Sequence, residues 1–375
     1  MEALDVLLLF IPLFFGMAIL AAVASERVVY RSGVVGPVPS LLLVLPVLFY
    51  GLYTVGMRPL AAGNDTARYV MTYGNLDGFR SAFITGVTYF GNTELLWWPL
   101  QSVLKPMLSI RGWLIANFVL VFGSAFLYYR LEAKAYKLSA GIFALVFMTF
   151  FLVYSGNIMR QALAIPIGAL GFGMFMRRRY LLAAVLALLS IGLHWSLIVI
   201  LVLPLLKLPI FKKNFVYVLV PVSAAALSPF SVEIVGWVVN ILGLPEISSK
   251  FDLYFAGGRQ SHVAAIWMTA NFWICSTVSL AFLFFCKPDQ YESQSLHKYV
   301  LLFLTLILLG VENADFSERY LPFILFVLPL MIGALVDRIR LPAVAKNLVF
   351  FGFFLSLAML VFTAASSQYT LGYSL

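Results

Sequence analysis

The chain has 375 residues, of which 62% are hydrophobic and only 11% are charged. Because soluble domains are about a quarter charged, this composition excludes an ordinary soluble fold. The net charge of +9 is typical of the basic loops that orient membrane proteins, and it does not indicate nucleic-acid binding. Cys275 and Cys286 share one apolar stretch, so we expect them to pack in the interior without a disulfide or a metal.

Apolar runs near membrane-spanning length recur along the chain. The first run, 4–24, has Glu2 before it and Asp5 near its start, and no basic n-region, so we expect no cleavable signal peptide. Long uninterrupted runs predict helices, because the strands of an outer-membrane barrel would alternate. The later runs are 38–56, 112–129, 138–156, 162–176, 180–193, 195–206, 214–230, 263–286, 299–311, 321–336 and 347–365.

Residues 95–110 are apolar but contain Pro99, Lys105 and Pro106. If this segment crossed the membrane, the basic loops after it would face outward. If it is re-entrant or interfacial, the six inner loops hold 16 of the 25 Lys and Arg residues. The sequence therefore predicts an all-α polytopic membrane protein with about twelve transmembrane helices and both termini outside.

We interpret residues 1–375 as a single transmembrane domain with two sizeable outer loops. The first outer loop, 57–111, includes the re-entrant or interfacial segment, and the second is 231–262. The inner loops are short, so they leave no room for a cytoplasmic nucleotide-binding domain.

Several sequence motifs of soluble chemistry are absent. The chain has no GxxxxGK[ST], no HExxH, no CxxC and no GxSxG, so nothing indicates ATP, a metal or a hydrolase serine. We expect no cofactor and no metal. An enzyme on the outer face would need an energised substrate that spans the membrane, and a lipid-linked diphosphate is the obvious kind.

Arg160 lies in SGNIMRQALAIP, between two apolar runs, with Asn157 before it and Gln161 after it. A fixed cation at such a position is costly and therefore indicates function. Its paired guanidinium donors suit phosphate oxygens, which predicts a diphosphate site. The alternative is an arginine that anchors the helix at the membrane surface.

Three other residues are candidates for acid–base chemistry. His194, in GLHWSL, lies between two half-length runs and has a side chain suited to a general base, or else it caps a short helical turn. Asp65 in GNDTARY and Glu94 in NTELLWW are its rivals, although both types of residue also stabilise helix N-termini. Trp97 and Trp98 indicate either an aromatic belt or a platform for sugar rings.

Two further arginine–tyrosine pairs lie at the predicted outer face. Arg319 and Tyr320 follow the acidic stretch ENADFSE and open a late span, although these acids could simply pair with arginines. Tyr254 and Arg259 lie in FDLYFAGGRQ, whose two glycines indicate a turn or hinge in the second outer loop.

Together these short motifs resemble the EpsG family of bacterial membrane proteins, over roughly residues 60–335. The first motif, at residues 63–65, reads GND in this chain, whereas GTD is commoner in the family. The family is grouped with the Wzy polymerases of O-antigen, capsule, exopolysaccharide and lipopolysaccharide biosynthesis. The elements, in chain order, are Asn64, Asp65 and Tyr69; Glu94; Arg160, Gln161 and Ala164; His194 and Ser196; and Arg319 and Tyr320.

The resemblance implies a metal-independent glycosyltransferase of the GT-C type that joins undecaprenyl-diphosphate-linked repeat units on the periplasmic face of the inner membrane. Its partners would be the lipid-linked donor and acceptor, membrane lipids, a chain-length regulator and a flippase, with no nucleic acid. A lipid-linked glycan ligase and a polysaccharide-lipid flippase or transporter remain alternatives.

The resemblance and the residue chemistry together predict roles for the candidate residues. His194 is favoured as the base, with Asp65 and Glu94 as rivals. Arg160, Arg319 and Arg259 are expected to bind the diphosphate. The residues expected to contact the substrate are Gln161, Tyr69, Tyr254, Tyr320 and Asn157.

Overall fold

The structure is a computed structural model. In the part of the chain that it describes, the regular secondary structure is helical. Two compact units form, Met1–Leu201 with Ile332–Leu375, and Val202–Met331. The described residues are 48, 51–52, 55–56, 58–61, 64–90, 94–136, 158–242, 266–286, 294–338, 342 and 345.

Among the helices of the first unit whose bounds are described, three short ones lie earliest in the chain: α1 (Asn64–Gly74), α2 (Gly78–Phe90) and α3 (Trp97–Leu104). Helix α2 packs against both α1 and α3. At 1.5 Å per residue, α3 is about 12 Å long, which is too short to cross a bilayer core of about 30 Å. A short helix fits the prediction that residues 95–110 do not span, and their re-entrant or interfacial placement stays a prediction.

The lysine in this apolar segment has a local role. The Lys105 ammonium donates to the carbonyl oxygen of Gly74 at 2.8 Å and also to that of Leu76. These carbonyls lie at the end of α1, where a helix has no partners of its own for its last carbonyls. Lys105 therefore ties the end of α3 to the end of α1.

Three longer helices follow: α4 (Ile110–Tyr136), α5 (Met159–Met176) and α6 (Tyr180–Leu193). Two of them are long and apolar enough to cross a membrane, α5 and the part Ile110–Glu132 of α4. Helices α5 and α6 form an antiparallel hairpin, and Gly171 allows close contact because a Cβ there would lie 3.1 Å from that of Leu186. The bounds of α6 equal those of the predicted run.

Helices α4 and α5 run in the same direction, because their C-terminal ends meet. Arg177, just after α5, forms an ion pair with Glu132 of α4 at 3.0 Å and donates to the Leu131 carbonyl at 3.1 Å. The predicted topology places one further span between α4 and α5 in the chain. Two spans separated by one other span must run in the same direction. The intervening apolar run, 138–156, lies outside the described residues.

A 3-10 helix, Trp195–Lys207, follows α6 and runs from the first unit into the second. Helices of the second unit pack around α10, which contacts both α7 and α9. Cys275 and Cys286 are buried there, as expected of residues that pack in the interior. The helices of this part are α7 (Val216–Ala226), α8 (Ser231–Leu242), α9 (Ala270–Phe285), α10 (Ser295–Leu309) and α11 (Ala314–Arg338), the last of which runs past the unit boundary.

The described part of the chain thus contains two candidate spans, or three if α7 and α8, bent by 59°, form one broken span. A helix also occupies the start of the predicted second outer loop, because α8 begins at Ser231. The chain is a helical membrane protein by these features and by its composition. The runs 4–24 and 347–365 lie outside the described residues, so the number of twelve spans stays a prediction. The GT-C-like arrangement stays a prediction as well.

Candidate active site

Arg160 is the second residue of α5 and is the centre of a buried polar cluster. Its Nη1 donates to Glu94 Oε2 at 2.6 Å, and its Nε donates to the Tyr69 hydroxyl at 2.9 Å. The segment before α3, helix α1 and helix α5 are thereby connected through one guanidinium. His194 lies beside Glu94, and we call these four residues the Arg160 cluster.

Tyr69 supports Arg160 with its ring as well as with its hydroxyl. The guanidinium carbon lies 5.5 Å from the ring centroid, a cation–π distance. Burial raises the pKa of Tyr69 to about 12, although the charge of Arg160 opposes the shift. The hydroxyl is therefore neutral at physiological pH.

Trp97 and Trp98 pack against the ring of Tyr69, each with its centroid 6.2 Å away. Both indoles are fully buried. Neither interpretation made from the sequence fits, because an aromatic belt or a sugar platform needs an exposed ring face. The two residues instead form the packed support beneath Tyr69.

Glu94 is 1% exposed and lies three residues before α3. Its position is set by the backbone, because the Leu96 N–H donates to the Gly192 carbonyl at 2.9 Å. A Cβ at Gly192 would lie 2.6 Å from the Leu96 side chain, so only glycine allows this approach. Glu94 Oε1 has no hydrogen-bond partner among the described residues, which leaves a buried acceptor open beside Arg160.

His194 follows α6 directly, in an extended conformation. Its Nδ1 lies 2.7 Å from Ser196 Oγ and accepts the Ser196 backbone N–H at 3.2 Å. Because a backbone N–H can only donate, Nδ1 carries a lone pair, and the neutral ring holds its proton on Nε2. Nε2 is 3.9 Å from Glu94 Oε1, so the histidine presents a donor towards the carboxylate.

The other candidates of the first unit lie near this cluster. Asp65 is in the first turn of α1, one turn before Tyr69, and its charge acts on the Tyr69 hydroxyl. Gln161 follows Arg160 and is buried. Asn157 lies outside the described residues. No three His, Cys, Asp or Glu side chains are placed to share a metal ion within the described ranges.

Two candidates belong to the second unit, where Arg319 and Tyr320 lie in the first turns of α11. Tyr320 is 8% exposed, and its ring packs edge-on against Phe316 at 5.1 Å between centroids. This packing gives Tyr320 a structural role in its own unit. Tyr254 and Arg259 lie outside the described residues.

Sequence reasoning selected Arg160 and Glu94 separately and missed that they form an ion pair. A signal for the pair was present, because a buried cation at a helix end requires a nearby counter-charge. Glu94 was the acid that opens an apolar segment at the same predicted face. Their separation of 66 residues hid the pairing.

We expect Tyr69→Phe to lower the rate of the protein's reaction about 10- to 100-fold, since a hydrogen bond to a charged group contributes about 1.5–3 kcal/mol. The ring and its cation–π contact remain.

At high pH the unfolded Tyr69 ionises before the folded one, so stability falls as pH rises above about 10. Tyr69→Phe should reduce that fall, as measured by thermal unfolding in detergent between pH 9 and pH 12. An unchanged alkaline profile would contradict a buried, neutral hydroxyl.

Comparison with known proteins gives a match to a family. Neither the curated proteins nor the solved structures that were searched match the chain. The model of the EpsG family matches residues 41–375, which include the whole Arg160 cluster. A match over nearly the whole chain leaves one assignment: the protein belongs to the EpsG family, a family of Wzy-type polysaccharide polymerases.

Proposed function

We propose that the protein joins undecaprenyl-diphosphate-linked oligosaccharide repeat units by glycosyl transfer on the periplasmic face of the inner membrane. Its family supports a polysaccharide polymerase in general. The observation that carries the finer proposal is the Arg160 cluster, which combines a buried ion pair with an open carboxylate oxygen at one end of a membrane-length helix.

In this proposal Glu94 is the base, through Oε1. Two contacts favour it over His194: Oε1 is open, whereas the acceptor nitrogen of His194 is already engaged by Ser196. A sugar hydroxyl near both side chains would donate its proton to Oε1 and accept from Nε2–H. The separation of 3.9 Å allows one oxygen atom to reach both at about 2.8 Å. Asp65, a turn from Tyr69, remains the second acid near the cluster.

The transfer step then has a defined balance. The acceptor hydroxyl oxygen bonds to the anomeric carbon of the donor sugar, and the bond from that carbon to the diphosphate oxygen breaks. The electron pair leaves with the diphosphate, and the proton passes to Glu94. Protonation removes the counter-charge of Arg160 at the moment when negative charge develops on the leaving group, so the guanidinium stabilises that charge only then.

Arginines supply the positive charge in this scheme, so the proposed enzyme is metal-independent and of the GT-C type. The binding of a diphosphate by Arg319 and Arg259 stays a prediction from the sequence, as do the substrate contacts of Gln161, Asn157 and Tyr254. A chain-length regulator and a flippase are the proposed protein partners, since repeat units must reach the outer face before they are joined.

Purified protein incubated with a lipid-linked repeat unit provides the test. A polymerase should produce a ladder of products that differ by one repeat, visible on a gel or by mass spectrometry. A single transfer to a different lipid acceptor, without a ladder, would indicate a ligase. Movement of intact substrate across a vesicle membrane without bond formation would indicate a transporter, and either result would overturn the proposal.

A further inference from the structure

An apolar groove of about 680 Å³ lies beside the Arg160 cluster, within the first unit. Its walls come from the α3 segment and helices α2, α4, α5 and α6. This volume is within the range of about 300–1,000 Å³ that is usual for sites of small ligands. The groove is thus large enough to hold part of an extended hydrocarbon chain.

One end of the groove adjoins the polar residues of the cluster. Leu96, Leu163 and Leu193 line it there. These residues stand two positions after Glu94, three after Arg160 and one before His194. A molecule with a polar group at the cluster would have its attached hydrocarbon enter the groove directly.

From that end the groove runs along α4 from Val119 to Leu127, about 12 Å, towards the opposite ion pair of Arg177 with Glu132. Both helices that bound this stretch, α4 and α5, are candidate spans, so the groove follows the direction of the bilayer tails. Leu127 is 61% exposed and Val119 is 44% exposed, which shows that one side is open.

The lining offers nothing to a polar ligand. Ser124 is its hydroxyl residue, and its Oγ donates to its own helix, to the Leu120 carbonyl at 2.7 Å. Serines that bond back to the preceding turn present no free donor. The chemistry of the walls therefore selects a hydrocarbon.

We infer that the groove holds the first isoprene units of the lipid carrier, while the diphosphate to which they are attached lies at the Arg160 cluster. The inference rests on the proposed function and names the part of the substrate that this surface binds. Tails in the bilayer are already in an apolar medium, so entering the groove changes the hydrophobic free energy little. The groove acts by position, because it holds the reacting carbon in line with Glu94.

Gly123 makes the inference testable. It lines the groove, and a Cβ built on it meets nothing within 4 Å, so the first carbon of a larger side chain has room there. Any other ordinary residue also favours a helix more than glycine does, so loss of folding is not expected. Gly74, which also has open space but lies outside the groove, provides the matched control.

The experiment compares two substrates with the same repeat unit and diphosphate, one on a full-length polyprenyl chain and one whose lipid is replaced by a methyl group, which does not reach into the groove. We expect the ratio of kcat/KM, long over short, to fall about tenfold in Gly123→Trp and less in Gly123→Leu. Gly74→Leu should keep the wild-type ratio. A wild-type ratio in Gly123→Trp would overturn the inference, as would an equal loss on both substrates.

Photolabelling separates this inference from the proposed function. A diazirine-bearing polyprenyl diphosphate should label peptides of α3, α4 or α5, and Gly123→Trp should reduce that labelling. Labelling elsewhere would overturn the inference. Labelling that excess phospholipid removes would show that bilayer lipid fills the groove, and would overturn it too. If Gly123→Trp gives a wild-type ladder and an unchanged ratio of kcat/KM, the lipid-binding role of the groove is rejected and the polymerase activity is not. If the groove is labelled but the protein makes no ladder, the polymerase activity is rejected and the lipid-binding role is not.

Discussion

Arg160→Ala should abolish polymer formation and lower the free energy of unfolding by about 3–5 kcal/mol. The substitution leaves the Glu94 carboxylate, whose side chain is fully buried, without its counter-charge. It also removes the charge assigned to the leaving diphosphate. Arg160→Lys should lose most activity too, because an ammonium lacks the planar fork that reaches Glu94 and Tyr69 through separate nitrogens.

The chain offers a matched control at the other end of α5. Arg177→Ala breaks an ion pair of the same type, with Glu132, which is also fully buried. We expect it to lower stability but to leave the ladder of products in place. Thermal unfolding in detergent and product gels would be measured for both variants at equal expression. If both variants lost the ladder to the same extent, the effect of Arg160 would be structural, and its role at the diphosphate would be rejected.

Glu94→Gln should lower kcat by about 10²–10⁴-fold, the usual contribution of a general base. Glutamine has nearly the same shape and can still accept from Arg160 through its amide oxygen, but it cannot take the proton of the acceptor hydroxyl. Single-turnover measurements with a saturating lipid-linked unit isolate this step from substrate binding. Glu132→Gln, a buried glutamate with its own arginine, is the matched control and should retain the wild-type rate.

The same measurement distinguishes the rival bases. His194→Ala should lower the rate less than Glu94→Gln does, since it removes a donor near the hydroxyl and leaves the carboxylate. A near-wild-type rate for Glu94→Gln together with a large loss for His194→Ala would assign the base to His194. Large losses in Asp65→Asn alone would assign it to Asp65.

The apolar runs predicted the long helices well, because hydrophobic length is a property of the local sequence. The run 180–193 matches α6 in both bounds, and 162–176 lies within α5. The basic triplet after α5 was placed correctly at a turn between two helices, where Arg178 has a φ of 62°. These features need no knowledge of distant residues.

The site was only partly predictable from sequence. Arg160, Glu94, His194 and Tyr69 were all selected, since charged and polar groups beside apolar runs are rare and costly. Their mutual contacts were not predicted, because those depend on how α1, α3 and α5 pack together. The two tryptophans were misread for the same reason: an aromatic pair in sequence does not reveal whether its rings face solvent or a neighbouring tyrosine.

Helix α5 is bonded at both ends, by Arg160 to Glu94 and by Arg177 to Glu132. An ion pair with a buried carboxylate at each end resists sliding of the helix along its axis and rotation about it. The Arg160 cluster is therefore held one length of α5 away from the Arg177–Glu132 ion pair.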